Sequence, residues 1–413
     1  MTVNQEMGAP LAGLRIVEIS AFIAAPLGAM TLAQLGAEVI RIDPVGGNID
    51  IHRWPVTDKG DSLYWASLNK GKKSVSLDLR SEQGQRLAQE IICAPGKDAG
   101  ILITNLPSRG WMSYDNLSRQ RDDLIMLRLT GNHDGSAAVD YTVNCSGGFP
   151  IATGPDEEPV NHVLPAWDVA AGLYIATGIL SAERIRGRTG KGQEISLALS
   201  DVMLATVGNL GYFNEIQVNG THRQPMGNYL YGAFGHDFKT RDHRRVMVVA
   251  ITNRQWLCLK KASGLAEKLD MIGPMLDVDL STEGGRFAAS KAIVAVLEPW
   301  FQNRTLAEIK SALLDSGVLW GPYQDFSQLF HEDDRCSLNN PLFGEVEQDR
   351  IGTLRVPRTP LSFGLSPVPA PAAAPCLGDQ SIEVLHNLLG LPQAELRRLC
   401  EQGVVQPGAS GLA

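Results

Sequence analysis

The sequence predicts an α/β fold: a doubly wound parallel sheet in a large domain, joined to a smaller α/β domain. Three observations predict it. Short β-branched runs alternate with helical spacings over the first two hundred residues, as in successive βαβ units. The pattern then breaks at 217–232, "QVNGTHRQPMGNYLYG", and a second strand–helix block follows. The 413 residues, 44% hydrophobic and 20% charged, are enough for two or three domains with full cores.

The elements follow in order. "GLRIVEIS" (13–20) reads as a strand, "PLGAMTLAQLG" (26–36) has helical spacing, and "AEVIRID" (37–43) is a second strand. "KSVSLDL" (73–79) is a strand, "SEQGQRLAQEII" (81–92) a helix, and "GILITN" (100–105) and "LIMLRLTG" (124–131) are further strands. A helix runs from Asp168 to about Arg186, where "RGRTGKG" supplies the stop signal. "QEISLALS" (193–200) is a strand, followed by the helix "DVMLATVGNLGYFNEI". Residues 1–216 are therefore assigned to the large domain and 217–232 to a linker. The small domain, 233–335, contains the strand "RVMVVAI" (245–251) and helical stretches near 253–262, 285–302 and 305–316. The Pro-rich run "SPVPAPAAAPCLG" (366–378) is an extended connector within 336–413, which returns to complete the large domain.

Composition excludes several classes. A net charge of −8 argues against general nucleic-acid binding, which needs broad basic surfaces. The six cysteines (93, 145, 258, 336, 376 and 400) form no CxxC, so zinc spacings are absent and free thiols in a reducing cytoplasm are expected. The opening "MTVNQEMGAP" has no leader pattern, and "AFIAAPLGAMTLAQLGAEVI" is broken by Pro26, Gln34 and Gly36, so no membrane span is expected. The first βα turn, "SAFIAAPLGA", lacks GxGxxG, which removes the main support for a nicotinamide or flavin enzyme. No Walker motif, HExxH or GxSxG is present, and no metal site is expected.

Three features carry candidate chemistry. The lysines of "NKGKKS" (69–74), with Arg80 nearby, form either a solvated turn or a cationic lip for phosphates. His133 and His162 lie in polar loops with no visible partner. Asp168 stands at the mouth of the apolar stretch "VAAGLYIATGIL", which reads as a buried helix. It is either an N-cap or a nucleophile, kept ionised by the helix terminus, with neighbouring amides available for an oxyanion.

Several segments together resemble the family III CoA-transferases, the CaiB–BaiF family. They are "LAGLRIVEIS…LAQLGAEVIRID", "LNKGKKSVSLDL", "ITN" before a loop, "WDVAAG…ERIRGRTGKGQEISLALSDV" and "APCLGDQS". The likeness runs in order over nearly the whole chain. It implies that the aspartate of the D-x-x-x-G segment, here Asp168 with Gly172, is a nucleophile that passes through an anhydride and an aspartyl-CoA thioester. It also implies coenzyme A as part of an acyl-thioester substrate, no tightly bound cofactor, and an interlocked homodimer. CoA-binding positions carry over to Ile23 and Ala24, to Leu77 and Arg80, and to Asn105 with Leu106 in place of an aromatic residue. The family's next basic position falls on Ser113, and Arg109 is the nearby substitute. The histidine that racemases of the family need falls on Val139, which makes racemisation the weaker reading.

Within the family, stretches such as "HRWPVT", "VDYTVN", "VNHVLPAWD" and "GNYLYGAFG" resemble a branch that moves CoA between the two carboxyl ends of mesaconate, a step of the 3-hydroxypropionate cycle of carbon fixation. Both carboxylates would share one pocket, so effective concentration replaces a second substrate. Arg53, Asn228 and Tyr231 are candidates to hold the free carboxylate. The closest rival is an intermolecular transferase with a separate dicarboxylic acceptor; a silent CoA-binding protein is a third.

Overall fold

A computed structural model describes residues 8–154 and 158–408; the first seven residues, where no leader was read, lie outside it. The chain divides into two compact units. The first takes residues up to Gly147, Val163–Gln217 and those from Asp334 onward; the second takes Gly148–His162 and Val218–Asp333.

In the first unit β1 (Arg15–Ile19), β2 (Glu38–Pro44), β3 (Lys73–Leu77), β4 (Ile101–Thr104), β5 (Ile125–Thr130) and β6 (Gln193–Ala198) are parallel, in the order β3-β2-β1-β4-β5-β6. A two-residue strand, Val405–Gln406, pairs antiparallel with β3 at the edge and makes the sheet mixed. One sheet face presents Val17, Ile19, Ile40, Ile42, Val75 and Leu77 to the helices Glu82–Cys93, Ser381–Leu389 and Gln393–Glu401. These helices form because apolar residues recur on one side, as with Leu87, Ala88, Ile91 and Ile92. Ser81 caps the first of them, its hydroxyl accepting from the Gly84 N–H.

The helices Ala24–Gln34 and Ala166–Thr189 pack against each other with almost no side chain between them. A Cβ on Gly28 would lie 2.8 Å from the Gly172 carbonyl oxygen and 2.8 Å from the Ile175 Cβ. A Cβ on Gly172 would lie 3.0 Å from the Ala24 carbonyl oxygen and 2.8 Å from a Leu27 methyl. The glycine one turn after Asp168 is thus a contact that brings the two helix starts together.

Two of the three lysines of this run point inward rather than into solvent or a phosphate lip, while Lys73 stays partly exposed and pairs with Glu38 and Glu383, each at 2.9 Å. Lys70 and Lys72 are buried, and Lys72 pairs with Glu18 at 2.7 Å and donates to the Pro26 carbonyl at 2.9 Å. Burial pulls the Lys72 ammonium down to about 8, against the opposing pull of Glu18. Arg41, also buried, bonds Glu18, Asp43 and Asp50 at 2.9–3.3 Å. These acids sit in strand and loop positions distant in sequence, so lysine spacing alone could not show their pairing.

The second unit holds an antiparallel sheet of β7 (Phe234–Lys239), β8 (Arg245–Ala250) and β9 (Leu319–Pro322). Its core gathers Phe234, Phe238, Trp256, Ile293, Leu297, Phe301 and Ile309. No helix among the described residues is long and apolar enough to cross a membrane.

Candidate active site

Reversal of strand order between β1 and β4 opens a crevice at the carboxyl ends of the strands, where α/β sheets receive ligands. A cavity of about 680 Å³ lies there, within the size range of small-molecule sites. The turn after β1 supplies Phe22, Ile23 and Ala24, and the turn after β4 supplies Asn105, Leu106 and Arg109. The loop after β5 supplies residues up to Tyr141, and Arg53 and Asp168 complete the wall.

The turn after β1 is held from three sides. Asn105 grips Ala21 with both ends of its amide: Oδ1 accepts from the Ala21 N–H at 3.0 Å, and Nδ2 donates to the Ala21 carbonyl at 2.7 Å. Phe22 has φ of +70°, unusual for a residue with a Cβ, and its N–H donates to the Asp50 carboxylate at 3.0 Å. Asp50 is in turn fixed by Arg41 at 3.0 Å. The helix that follows, Ala24–Gln34, has no side-chain cap, which leaves its amino-terminal dipole directed at the cavity wall.

Asp168 is not a cap. The helix Ala166–Thr189 begins two residues earlier, behind Pro165, and Asp168 lies in its first turn. The capping role belongs to Asp140, which sequence reading missed. Asp140 Oδ2 accepts from the Trp167 N–H at 2.7 Å and the Asp168 N–H at 3.0 Å. The Ala166 and Val169 amides donate to the Leu164 and Pro165 carbonyls. All four first-turn amides of this helix are engaged, so the oxyanion donors expected from it are not available.

The Asp168 carboxyl is also not held ionised. Burial, and then the neighbouring Asp140 charge, push it up to about 7, while Arg53 pulls it down. Arg53 is itself held between rings, 4.7 Å from the Tyr64 centroid and 5.2 Å from that of Phe22. The helix behind Asp168 is not buried all round either. Ala171, Gly172 and Ile175 face inward, but Leu173 and Tyr174 are 52% and 49% exposed.

The cavity wall therefore brings together Asp168, Arg53, Ile23, Ala24, Asn105, Leu106 and Arg109. Leu77 and Arg80 are not in that lining: Leu77 is buried in the sheet core, and Arg80 is exposed beyond the end of β3. Ser113 caps the short helix Tyr114–Ser118. Val139 lines the cavity with an aliphatic side chain, and His133 and His162 are both exposed. Asn228 and Tyr231 belong to the second unit. There the Asn228 amide donates to Asp237 at 3.0 Å, and Tyr231 lies 3.7 Å beneath the Arg223 guanidinium.

The chain has extensive relatives. The profile of CoA-transferase family III matches residues 11–381. A 2-methylfumaryl-CoA isomerase of Chloroflexus aurantiacus is 52% identical over 398 residues, covering 96% of this chain and 97% of that protein. The alpha subunit of succinyl-CoA–L-malate CoA-transferase of Chloroflexus aurantiacus is 27% identical over 96% of this chain and 92% of its own length. Among solved structures, a CaiB/BaiF family protein from Brucella suis superposes with a TM-score of 0.76 at 25% identity, covering 92% of this chain and 100% of that one.

Proposed function

The chain belongs to CoA-transferase family III, and on that premise we propose that it is an intramolecular CoA-transfer isomerase interconverting 2-methylfumaryl-CoA and 3-methylfumaryl-CoA, with Asp168 as nucleophile. The observation that carries the reading is a carboxylate released from capping, on the wall of a crevice at the strand ends. The substrate is taken from the 52% likeness to an enzyme of that name.

An Asp168 oxygen attacks the thioester carbonyl carbon, the C–S bond breaks, and a mixed anhydride and CoA thiolate form. The thiolate then attacks the aspartyl carbonyl, giving an aspartyl-CoA thioester and the free dicarboxylate. The dicarboxylate presents its other end and attacks the aspartyl thioester carbonyl; the C–S bond breaks, CoA thiolate is released again, and a second anhydride forms. Thiolate attack on its acyl carbon gives the isomer and restores Asp168. Each step passes an oxyanion, for which the uncapped start of the Ala24–Gln34 helix, with Ile23 and Ala24 in the wall, is the available electropositive end. Arg53 is the candidate partner for the free carboxylate; it already opposes the Asp168 charge from the same wall. Arg109 is the candidate for CoA phosphate, and Leu77, Arg80 and Asn105 stay as carried-over CoA positions. Asn228 and Tyr231 are proposed substrate contacts. A cytoplasmic homodimer acting in the 3-hydroxypropionate cycle is part of the same proposal; the half-exposed Leu173, Tyr174 and Leu204 suit a buried partner face.

Incubation with 2-methylfumaryl-CoA and isotopically labelled free mesaconate tests the reading. The isomeric thioester should form without label. Label in the thioester would support the intermolecular rival, and no movement of CoA would overturn the proposal.

A further inference from the structure

Asp140 carries no role taken from the resemblance and lies 28 residues before Asp168, yet it touches the start of the nucleophile's helix. It is 3% exposed and lines the cavity. Its Oδ2 holds the Trp167 and Asp168 amides. Its Oδ1 is buried with no hydrogen-bond partner among the described residues. Four residues along the same short helix, Asn144 accepts from the Trp167 indole N–H at 3.1 Å. The helix Asp140–Ser146 is thus a second anchor for the start of the Asp168 helix.

Resting on the reading of Asp168 as nucleophile, we propose that Asp140 is the positioning residue of the transfer, capping that helix in place of Asp168 and setting a repulsion that acylation of Asp168 relieves. Two effects follow from one side chain. The cap leaves the Asp168 carboxyl free to reach the substrate. The second carboxylate raises the energy of ionised Asp168, and the anhydride and the aspartyl thioester, both uncharged at that side chain, remove the conflict. A more basic carboxylate is also the better nucleophile once ionised.

The groups facing Asp168 set the sign of the test. Asp140 pushes its proton affinity up, Arg53 pulls it down, and Tyr64 is coupled to it from the segment next to Arg53. The Ala24–Gln34 helix packed alongside carries no ionisable side chain. Asp201 on Leu199–Asn209 is exposed, and Asp134, Arg109 and Arg128 line the cavity further along the wall.

Asp140→Asn keeps an amide oxygen to accept the two N–H groups while removing the charge. The acid limb of kcat/KM for CoA migration should then move to lower pH, and kcat on the alkaline plateau should fall about tenfold with KM changed less than about threefold. Asp140→Ser, a second neutral acceptor, should move the limb the same way, and Asp140→Glu, which keeps the charge, should hold it near the wild-type position. Hydroxylamine trapping of acylated Asp168, read by mass spectrometry, runs in parallel on each protein. An unmoved limb in both neutral variants, with the Asp168 adduct still formed, overturns the role of Asp140 alone. Absence of the adduct from the wild type overturns the nucleophile reading on which it rests.

Discussion

Replacing Asp168 with Asn should abolish catalysis and make the protein more stable at alkaline pH. The two carboxyl forms differ in what they cost the fold. In the unfolded chain Asp168 titrates near 4, whereas in the folded chain it is pushed up to about 7 by burial and by Asp140. The folded protein therefore keeps a proton that the unfolded chain has released, and stability is lost as pH rises from about 4 to about 7. Unscreened, that rise corresponds to ~4 kcal/mol above pH 7. Solvent at this cavity wall screens the charge and leaves ~1–2 kcal/mol. An amide of the same shape escapes the cost. Each kcal/mol is worth about 2–4 °C in a unit of this size, so Asp168→Asn should melt about 2–8 °C above wild type at pH 8. At pH 3.5 the difference should nearly vanish, because folded and unfolded wild type are then both largely protonated. Thermal melts at the two pH values decide the matter. An Asn variant no more stable than wild type at pH 8, or equally stabilised at both, would refute the electrostatic account of the site.

The glycine contact and the buried ion cluster give two further tests. Gly28→Val places a branched side chain where even a Cβ lies 2.8 Å from the Gly172 carbonyl; the fold should lose ~2–3 kcal/mol in urea unfolding, and residual enzyme should show a lowered kcat as the helix starts part. An unchanged midpoint would show that the two helices have room. Lys72→Met leaves Glu18 buried with its closest cation gone and only the 3.3 Å Arg41 contact and the 2.6 Å Ser20 hydroxyl bond in support, and should cost ~2–4 kcal/mol in urea unfolding. Neutrality to that change would mean that water or rearrangement already compensates Glu18.

Much of this architecture was legible in the chain. The β-branched runs at β1 to β6 and the amphipathic helix at 82–93 carry their own periodicity, and their placement needed no tertiary information. β7 was harder: "FGHDFK" interrupts its aromatic residues with His and Asp, and only the pairing with β8 makes it a strand. Val405–Gln406 is too short to carry any pattern and exists through its bonds to β3. At the site, the position of Asp168 was legible but its state was not. Whether a carboxylate caps a helix depends on what else reaches the free amides, and Asp140 arrives from a different element. The signal the chain does carry for it is an Asp just after a strand-end loop, next to the Val139 position. The burial of Lys70 and Lys72 was hidden for the same reason, since a charge run reads as solvated until its partners are known.

The most direct measurement is mass spectrometry of enzyme quenched with hydroxylamine during turnover of 2-methylfumaryl-CoA. The account requires the modification on the peptide carrying Asp168, and its complete loss in Asp168→Ala that still binds CoA. A modification on any other side chain, or CoA migration without one, would contradict it.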